Sequence, residues 1–304
     1  MSAAGGAPKV SSSLLHQRIL SWYAKEARNL PWREPGTSAW AVLVSEVMLQ
    51  QTPVVRVEPA WRQWMSRWPV PAALAASAPG DAVHAWGRLG YPRRALRLHA
   101  AAVAMVERHG GQVPDTSAEL LALPGVGTYT AAAVSAFAFG RRTSVVDTNV
   151  RRVFARVVNG VGQAAPSLTR AEVDLATTLL PDDADEARVW GVAVMEVGAL
   201  VCLARAPRCP ACPIRDLCAW QLANRPAYEG PVRRSQGWSG TDRQCRGTIL
   251  AMLRATTGPV TSGEVDATWP ADGPQRDRCL KSLVKDGLVE PVAADGYRLP
   301  GRRT

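Results

Sequence analysis

Apolar residues recur at helical spacing along most of this chain. Leu15, Ile19, Trp22 and Tyr23 mark a first helix over residues 14–27, which Asn29, Leu30 and Pro31 end. Residues 39–51, AWAVLVSEVMLQQ, predict a second, almost wholly apolar helix. Several more follow between Val54 and Gly111, separated at Pro69, Pro71, Pro79 and Gly110. Trp61, Trp64 and Trp68 share one helical face and read as core. An alanine-rich helix starts after Gly127 and another after Asp147; two more cover residues 172–180 and 187–202. The pattern predicts an all-α fold.

The pattern weakens at both ends. Residues 1–13, MSAAGGAPKVSSS, read as a disordered tail. Residues 14–222 hold the helical domain, and residues 223–240, rich in Pro, Gly, Arg and Ser, read as a linker. Residues 241–304 give three helical patterns followed by EPVAADGYRLP, a small hairpin. That order suits a winged-helix-like module, although other small helical domains give similar patterns.

Charge adds a partner class. The 304 residues carry a formal net charge of +10, so a polyanion is a natural ligand. The positive charge is nearly all arginine, with lysine only at Lys9, Lys25, Lys281 and Lys285. Arginine binds phosphate in a planar fork, but a GC-rich genome would produce the same bias. No run approaches a membrane span and the start lacks an apolar signal core, which predicts a cytoplasmic protein. Six cysteines in such a chain argue against a disulfide scaffold.

Four stretches carry candidate chemistry. In Leu123–Arg156, Gly125 and Gly127 flank Val126 at a helix start. Two glycines permit positive φ and close approach, and the unpaired N–H groups of the next helix favour an anion; an ordinary glycine turn is the plain alternative. Asp147 precedes a helix carrying Arg151, Arg152 and Arg156, and is a good N-cap. Glu46 sits among Val42, Leu43, Val47, Met48 and Leu49. There a carboxyl held neutral would serve as a general acid, unless it lies on a polar side with Ser45, Gln50 and Gln51. Tyr91, in a Gly-Tyr-Pro turn before Arg93, Arg94 and Arg97, suits stacking on bases beside phosphate contacts.

The fourth stretch is Cys202, Cys209, Cys212 and Cys218, spaced C-x6-C-x2-C-x5-C within 17 residues. This is a metal pattern, and all four histidines lie upstream. Zinc ribbons usually show two C-x2-C pairs, and here there is one. Cys245 and Cys279 lie outside the pattern and read as small buried hydrophobes or free thiols.

LPGVGTYTA followed by VVDTNVRRV resembles the helix–hairpin–helix DNA glycosylases of base excision repair, and the cysteine spacing matches their iron–sulfur loop. SEVMLQQT and LPWR narrow the resemblance to the adenine glycosylases over residues 14–222. The resemblance implies one 4Fe–4S cluster on the four cysteines, with zinc the alternative. It implies that Glu46 protonates adenine and that Asp147 stabilises the sugar cation, with Asn149 in the same site. Trp32 and Arg33 would line the adenine pocket, Gln51, Thr52 and Tyr91 would meet the lesion pair, and Gly125 and Gly127 would grip a phosphate. Glu196 either contacts the adenine or is structural.

The implied partner is double-stranded DNA with an adenine mispaired with 8-oxoguanine or guanine, bound by a monomer. Bifunctional relatives carry a lysine where this chain has Tyr129, so a monofunctional enzyme is expected. Two departures stand out: Thr148 replaces a common Gly, and the roughly 64 residues after the linker are too few for the Nudix-like domain of many adenine glycosylases. A thymine glycosylase acting on T·G mismatches is the nearby alternative. From another class, a non-catalytic DNA-binding iron–sulfur regulator would need the cluster and the last module but no buried Glu46.

Overall fold

A computed structural model describes residues 11–228, 230, 237–292 and 296–302. In chain order the helices are α1 (Ser12–Glu26), α2 (Ala39–Leu49), α3 (Val54–Arg67), α4 (Pro71–Ala75), α5 (Pro79–Trp86), α6 (Arg93–His109), α7 (Ser117–Leu121) and α8 (Thr128–Phe137). They continue with α9 (Thr148–Val157), α10 (Arg170–Thr178), α11 (Ala184–Leu200), α12 (Ala219–Leu222), α13 (Asp242–Ala255), α14 (Ser262–Thr268) and α15 (Gly273–Lys285). Three short strands, β1 (Val260–Thr261), β2 (Glu290–Val292) and β3 (Gly296–Arg298), form an antiparallel sheet in the order β1-β3-β2. Among the described residues no helix is long and apolar enough to cross a membrane.

The chain divides into two compact units, each built from two separated stretches. The first comprises residues 1–37 and 127–232. Its core is the apolar stripe of α9 and α11 closed by α1: Leu15, Ile19, Val153, Phe154, Val157, Trp190, Val194 and Val197. Trp190 stacks on Phe154 at 6.4 Å and meets the His16 ring edge-on at 4.7 Å. Ser11 caps α1, so Ser12 and Ser13 are helical rather than part of a tail; residues 1–10 lie outside the described residues.

The second unit comprises residues 38–126 and 233–304. The tryptophans at helical spacing are core: Trp64 packs on Trp68 at 4.6 Å and on Trp86 at 5.7 Å, and Trp61 and Trp40 donate to the carbonyls of Ala41 and Trp68. The described residues from 241 onward pack on α5 and α6. Gly80 N donates to Pro300 O at 2.7 Å, and a Cβ at Gly80 would fall 2.6 Å from that oxygen. Arg254 donates to Val83 O at 3.0 Å, and Asp286 pairs with Arg93 at 3.3 Å and Arg246 at 2.6 Å.

The three helices and the hairpin expected after the linker are present, while parts of the linker (229 and 231–236) and the hairpin tip (293–295) lie outside the described residues. Strand β1 was not foreseen. It is two residues long, too short for a period, and Thr261 also caps α14 in a capping box with Glu264.

Candidate active site and cysteine loop

Every residue of α2 from Trp40 to Met48 is buried, so the helix has no polar side over that span. Ser45 is satisfied internally, its hydroxyl donating to Val42 O at 2.7 Å. Glu46 is 6% exposed within this run, which excludes the reading of an amphipathic surface helix. Glu46 and Asp147 belong to different units.

The turn after α2 is held by one arginine. Arg94 is 7% exposed and donates to Val47 O, Met48 O, Gln50 O, Gly90 O and Thr52 Oγ1, at 2.6–3.1 Å. Burial pushes its guanidinium down to about 10. Expected as a phosphate contact, Arg94 is instead spent on carbonyls left open at the helix end. It ties the Gln51–Thr52 turn to the Tyr91 turn. Both turns are strained: Gln51 has φ +54° and Tyr91 φ +46°, and both side chains are exposed. Thr52 is buried, its hydroxyl donating to Leu89 O at 3.1 Å.

The two hairpin glycines differ. Gly125 has φ +80°, and a Cβ there would fall 2.6 Å from the Arg97 Cβ. Gly127 has an extended φ of −98° and open space where a Cβ would sit; it is the N-cap of α8. Positive φ is therefore required only at Gly125. A recess of about 280 Å³ lined by Gln50, Arg94, Arg97, Pro124 and Gly125 lies beside the hairpin. Tyr129 is half-buried on α8, packed against the Ala133–Ala136–Val145 cluster.

Asp147 caps α9. Its Oδ1 accepts from the Asn149 and Val150 N–H groups at 2.8 and 2.7 Å, and its Oδ2 from Asn149 Nδ2 at 2.7 Å. Burial raises its carboxyl, and these three bonds pull the other way. Asn149 Oδ1 in turn accepts from Arg152 at 2.7 Å, and Arg152 also donates to Cys202 O and Gly198 O, both at 2.7 Å. Asp147 is thus connected to the first cysteine of the loop through two side chains. Arg152 lies at i, i+3 from Asn149, a spacing that places the two side chains together on one face of α9.

Arg151 and Arg156 are buried fasteners. Arg151 pairs with Glu172 at 2.8 Å. Arg156, 3% exposed, donates to Gly162 O, Leu203 O and Ala204 O, approaches Cys202 Sγ at 3.3 Å and lies 4.8 Å over the Trp220 ring. Cys202, Cys209, Cys212 and Cys218 are unpaired and line one recess of about 380 Å³ with Ile214 and Trp220. Burial pushes the Cys212 thiol up to about 12. Among the described residues no three His, Cys, Asp or Glu side chains converge on a single-ion position. Arg205, Arg208 and Arg215 are exposed around this loop.

Glu196 of α11 is fully buried. Arg28 reaches it through Nε at 2.6 Å, Nη2 at 2.8 Å and its backbone N–H at 3.1 Å, and Arg33 Nη2 adds a contact at 3.0 Å. Burial alone would raise this carboxyl, but the Arg28 bonds and the Arg33 charge hold it at about 2. Arg28 had no signal in the sequence. Arg33 Nη1 is buried with no hydrogen-bond partner among the described residues, beside the buried Trp32.

Residues 44–176 match the family model of the HhH-GPD superfamily of base excision DNA repair proteins. An adenine DNA glycosylase of Mycobacterium tuberculosis (strain ATCC 25618 / H37Rv) is 51% identical over 284 residues, 93% of this chain and 92% of that protein. The structure of a thermostable thymine-DNA glycosylase matches with a TM-score of 0.62 at 27% identity, over 70% of this chain and 97% of that one. The structure of a non-covalent endonuclease III–DNA complex matches with a TM-score of 0.59 at 22% identity, over 70% and 98%, and shows the fold alone.

Proposed function

The chain belongs to the adenine DNA glycosylases of base excision repair, and from that premise we propose that it hydrolyses the N-glycosidic bond of adenine mispaired with 8-oxoguanine or guanine in duplex DNA, as a monofunctional, monomeric enzyme. The observation that carries the residue assignment is Glu46 inside a span of α2 that is buried throughout. Desolvation favours the protonated carboxyl, which is the form a general acid needs.

The adenine must first leave the stack, which costs a few kcal/mol and is easiest at a mispair. Glu46 then gives its proton to the departing base. The bond from the sugar to the base breaks with its electron pair going to adenine, which leaves neutral. The sugar is left with oxocarbenium character, as in other glycoside hydrolysis. Asp147, ionised and aimed by the two N–H groups and Asn149, stabilises that charge. Water adds to the sugar carbon and loses a proton, giving an abasic site.

Arg33, with a buried unpaired Nη1, and Trp32 supply a donor and an apolar wall for the base. The saturated contacts of Glu196 support a structural role in holding Arg33 there. Tyr129 has no amine, so no Schiff base to the sugar forms at that position. Gly127, with open space before the first turn of α8, suits a DNA phosphate.

A 4Fe–4S cluster fits the four thiols. They line one recess, the donor set is all sulfur, and Arg156 supplies a hydrogen bond to Cys202 Sγ. When bound, it supplies four iron–thiolate links that fasten the loop bearing Arg205, Arg208 and Arg215. The order α13, β1, α14, α15, β2, β3 supports a winged-helix-like module for residues 241–304.

The test is single-turnover cleavage of three labelled duplexes: A opposite 8-oxoguanine, A opposite G and T opposite G, with and without alkali. Alkali-dependent cleavage of the two adenine duplexes is expected. Cleavage only of T opposite G would transfer the assignment to a thymine glycosylase, and strand scission without alkali, absent from heat-killed protein, would overturn the monofunctional reading.

A further inference from the structure

Among the described residues of 241–304, Arg243 reaches the Tyr91 turn. Arg243, in the first turn of α13, donates from Nη2 to the Tyr91 hydroxyl at 2.5 Å, and its guanidinium carbon lies 5.1 Å from the ring centroid. Arg94 approaches the same ring at 5.6 Å. The turn itself is over-determined: Gly90 O accepts from Trp86 Nε1 at 2.8 Å and Arg94 Nη2 at 3.1 Å. A non-glycine residue at φ +46° persists only where its surroundings hold it, and such strain gathers at functional positions. Yet Tyr91 remains 46% exposed. An exposed ring with a fixed backbone and a tethered hydroxyl is a stacking platform whose side-chain freedom has been removed in advance.

The tether is firm at its other end. Asp286, on the residue after α15, bridges Arg93 and Arg246, and Gln244, the neighbour of Arg243, accepts from Gly240 N at 2.8 Å. We propose that Arg243 is a positioning residue for Tyr91. It holds the ring in the attitude that stacks on bases beside the excised adenine, so the C-terminal stretch helps to separate mispaired from paired duplex. This rests on the reading of Tyr91 as a residue that stacks on DNA.

The experiment uses the full-length protein with its cluster intact. Equilibrium binding and single-turnover rates are measured on A opposite 8-oxoguanine and on A opposite T, for wild type, Arg243→Ala, Arg243→Lys, Tyr91→Ala and the Arg243→Ala/Tyr91→Ala double variant. Arg243→Ala should lose about 5- to 20-fold of the discrimination between the two duplexes, the size of one partly exposed cation–π contact with its hydrogen bond. The loss should fall on affinity more than on the rate at saturation. In the Tyr91→Ala background, removal of Arg243 should change discrimination by less than about twofold, because coupled residues are not additive. Arg243→Lys keeps the charge without the planar stack, should lose a smaller factor, and carries the test if the Ala variant misfolds.

Unchanged discrimination in the Arg243 variants overturns the proposal. So does equal weakening on both duplexes with a smaller salt slope, which would make Arg243 a phosphate contact. Unchanged discrimination in Tyr91→Ala would instead remove the underlying reading of Tyr91, and is read independently.

Discussion

Gly198 of α11 lies against Asn149 so closely that a Cβ at Gly198 would fall 2.6 Å from the Asn149 Cβ. Its carbonyl also accepts from Arg152, which holds the Asn149 amide. Gly198 therefore sets the position of the α9 N-terminus, and with it the Asp147 carboxylate. Gly198→Ala must push Asn149 aside. The expected cost is about 1–3 kcal/mol of stability from overpacking. Activity should fall further, because a shift of about 1 Å at a reacting group is worth on the order of 100-fold. Single-turnover rate beside a denaturation midpoint separates the two losses. A rate within about threefold of wild type would detach this contact from the chemistry.

Glu46→Gln keeps the shape of the buried side chain and removes its proton. The single-turnover rate should fall by about 10²–10⁴-fold with mispair affinity within a few-fold of wild type. The pH profile should be bell-shaped. If the proposed roles hold, its alkaline limb should follow loss of the Glu46 proton and its acid limb protonation of Asp147. Burial raises the Asp147 carboxyl, so the acid limb should lie above the ordinary range for aspartate. An acid limb at or below that range would mean that another group governs it. Loss of binding in Glu46→Gln would mean that the residue supports the fold instead.

The buried Glu196 pair predicts a stability profile. The carboxyl is held at about 2, against an ordinary 4.5. A depressed carboxylate contributes stability that is fully present above the unfolded value and is lost as pH falls through the folded one. Wild type should therefore lose stability through this group from roughly pH 5 down to pH 2. Glu196→Gln lacks that titration, so its deficit at neutral pH should shrink on acidification. Arg28→Ala leaves Arg33 as the remaining charge partner and should cost about 3 kcal/mol at neutral pH. Denaturant unfolding across this pH range tests both. A deficit for Glu196→Gln that stays constant to pH 2 would contradict the assigned shift.

Helical spacing, the hairpin, the cysteine pattern and the position of Glu46 were legible because each is a local property of the sequence. The Trp61, Trp64 and Trp68 face became core for that reason. The arginines misled. Arg94 looks like a phosphate contact in a basic chain, yet it, Arg151 and Arg156 are each buried against carbonyls: Val47 O lies 47 residues from Arg94, Leu203 O 47 from Arg156 and Ala165 O 14 from Arg151. Nothing local distinguishes a guanidinium that faces DNA from one that closes an open helix end. Arg28 and Arg243 were invisible for the same reason, since their partners Glu196 and Tyr91 lie 168 and 152 residues away. The sequence also treated Gly125 and Gly127 as equivalent, and only the backbone separates them.

That separation yields the last prediction. At Gly125 a side chain meets two penalties, a φ of +80° and the Arg97 Cβ at 2.6 Å. Gly125→Ala should cost about 1–3 kcal/mol of stability and weaken DNA binding through distortion of the hairpin. At Gly127 the φ is ordinary and the space is open, so Gly127→Ala should cost at most about 1 kcal/mol as a poorer N-cap. If a phosphate sits against the backbone here, the added methyl occupies its place, and affinity for every duplex should fall regardless of the base opposite adenine. The salt dependence of binding should weaken with it, because a phosphate contact has been lost. Thermal unfolding paired with a salt titration of binding reads both variants. Full affinity in a stable Gly127→Ala protein would place the phosphate elsewhere.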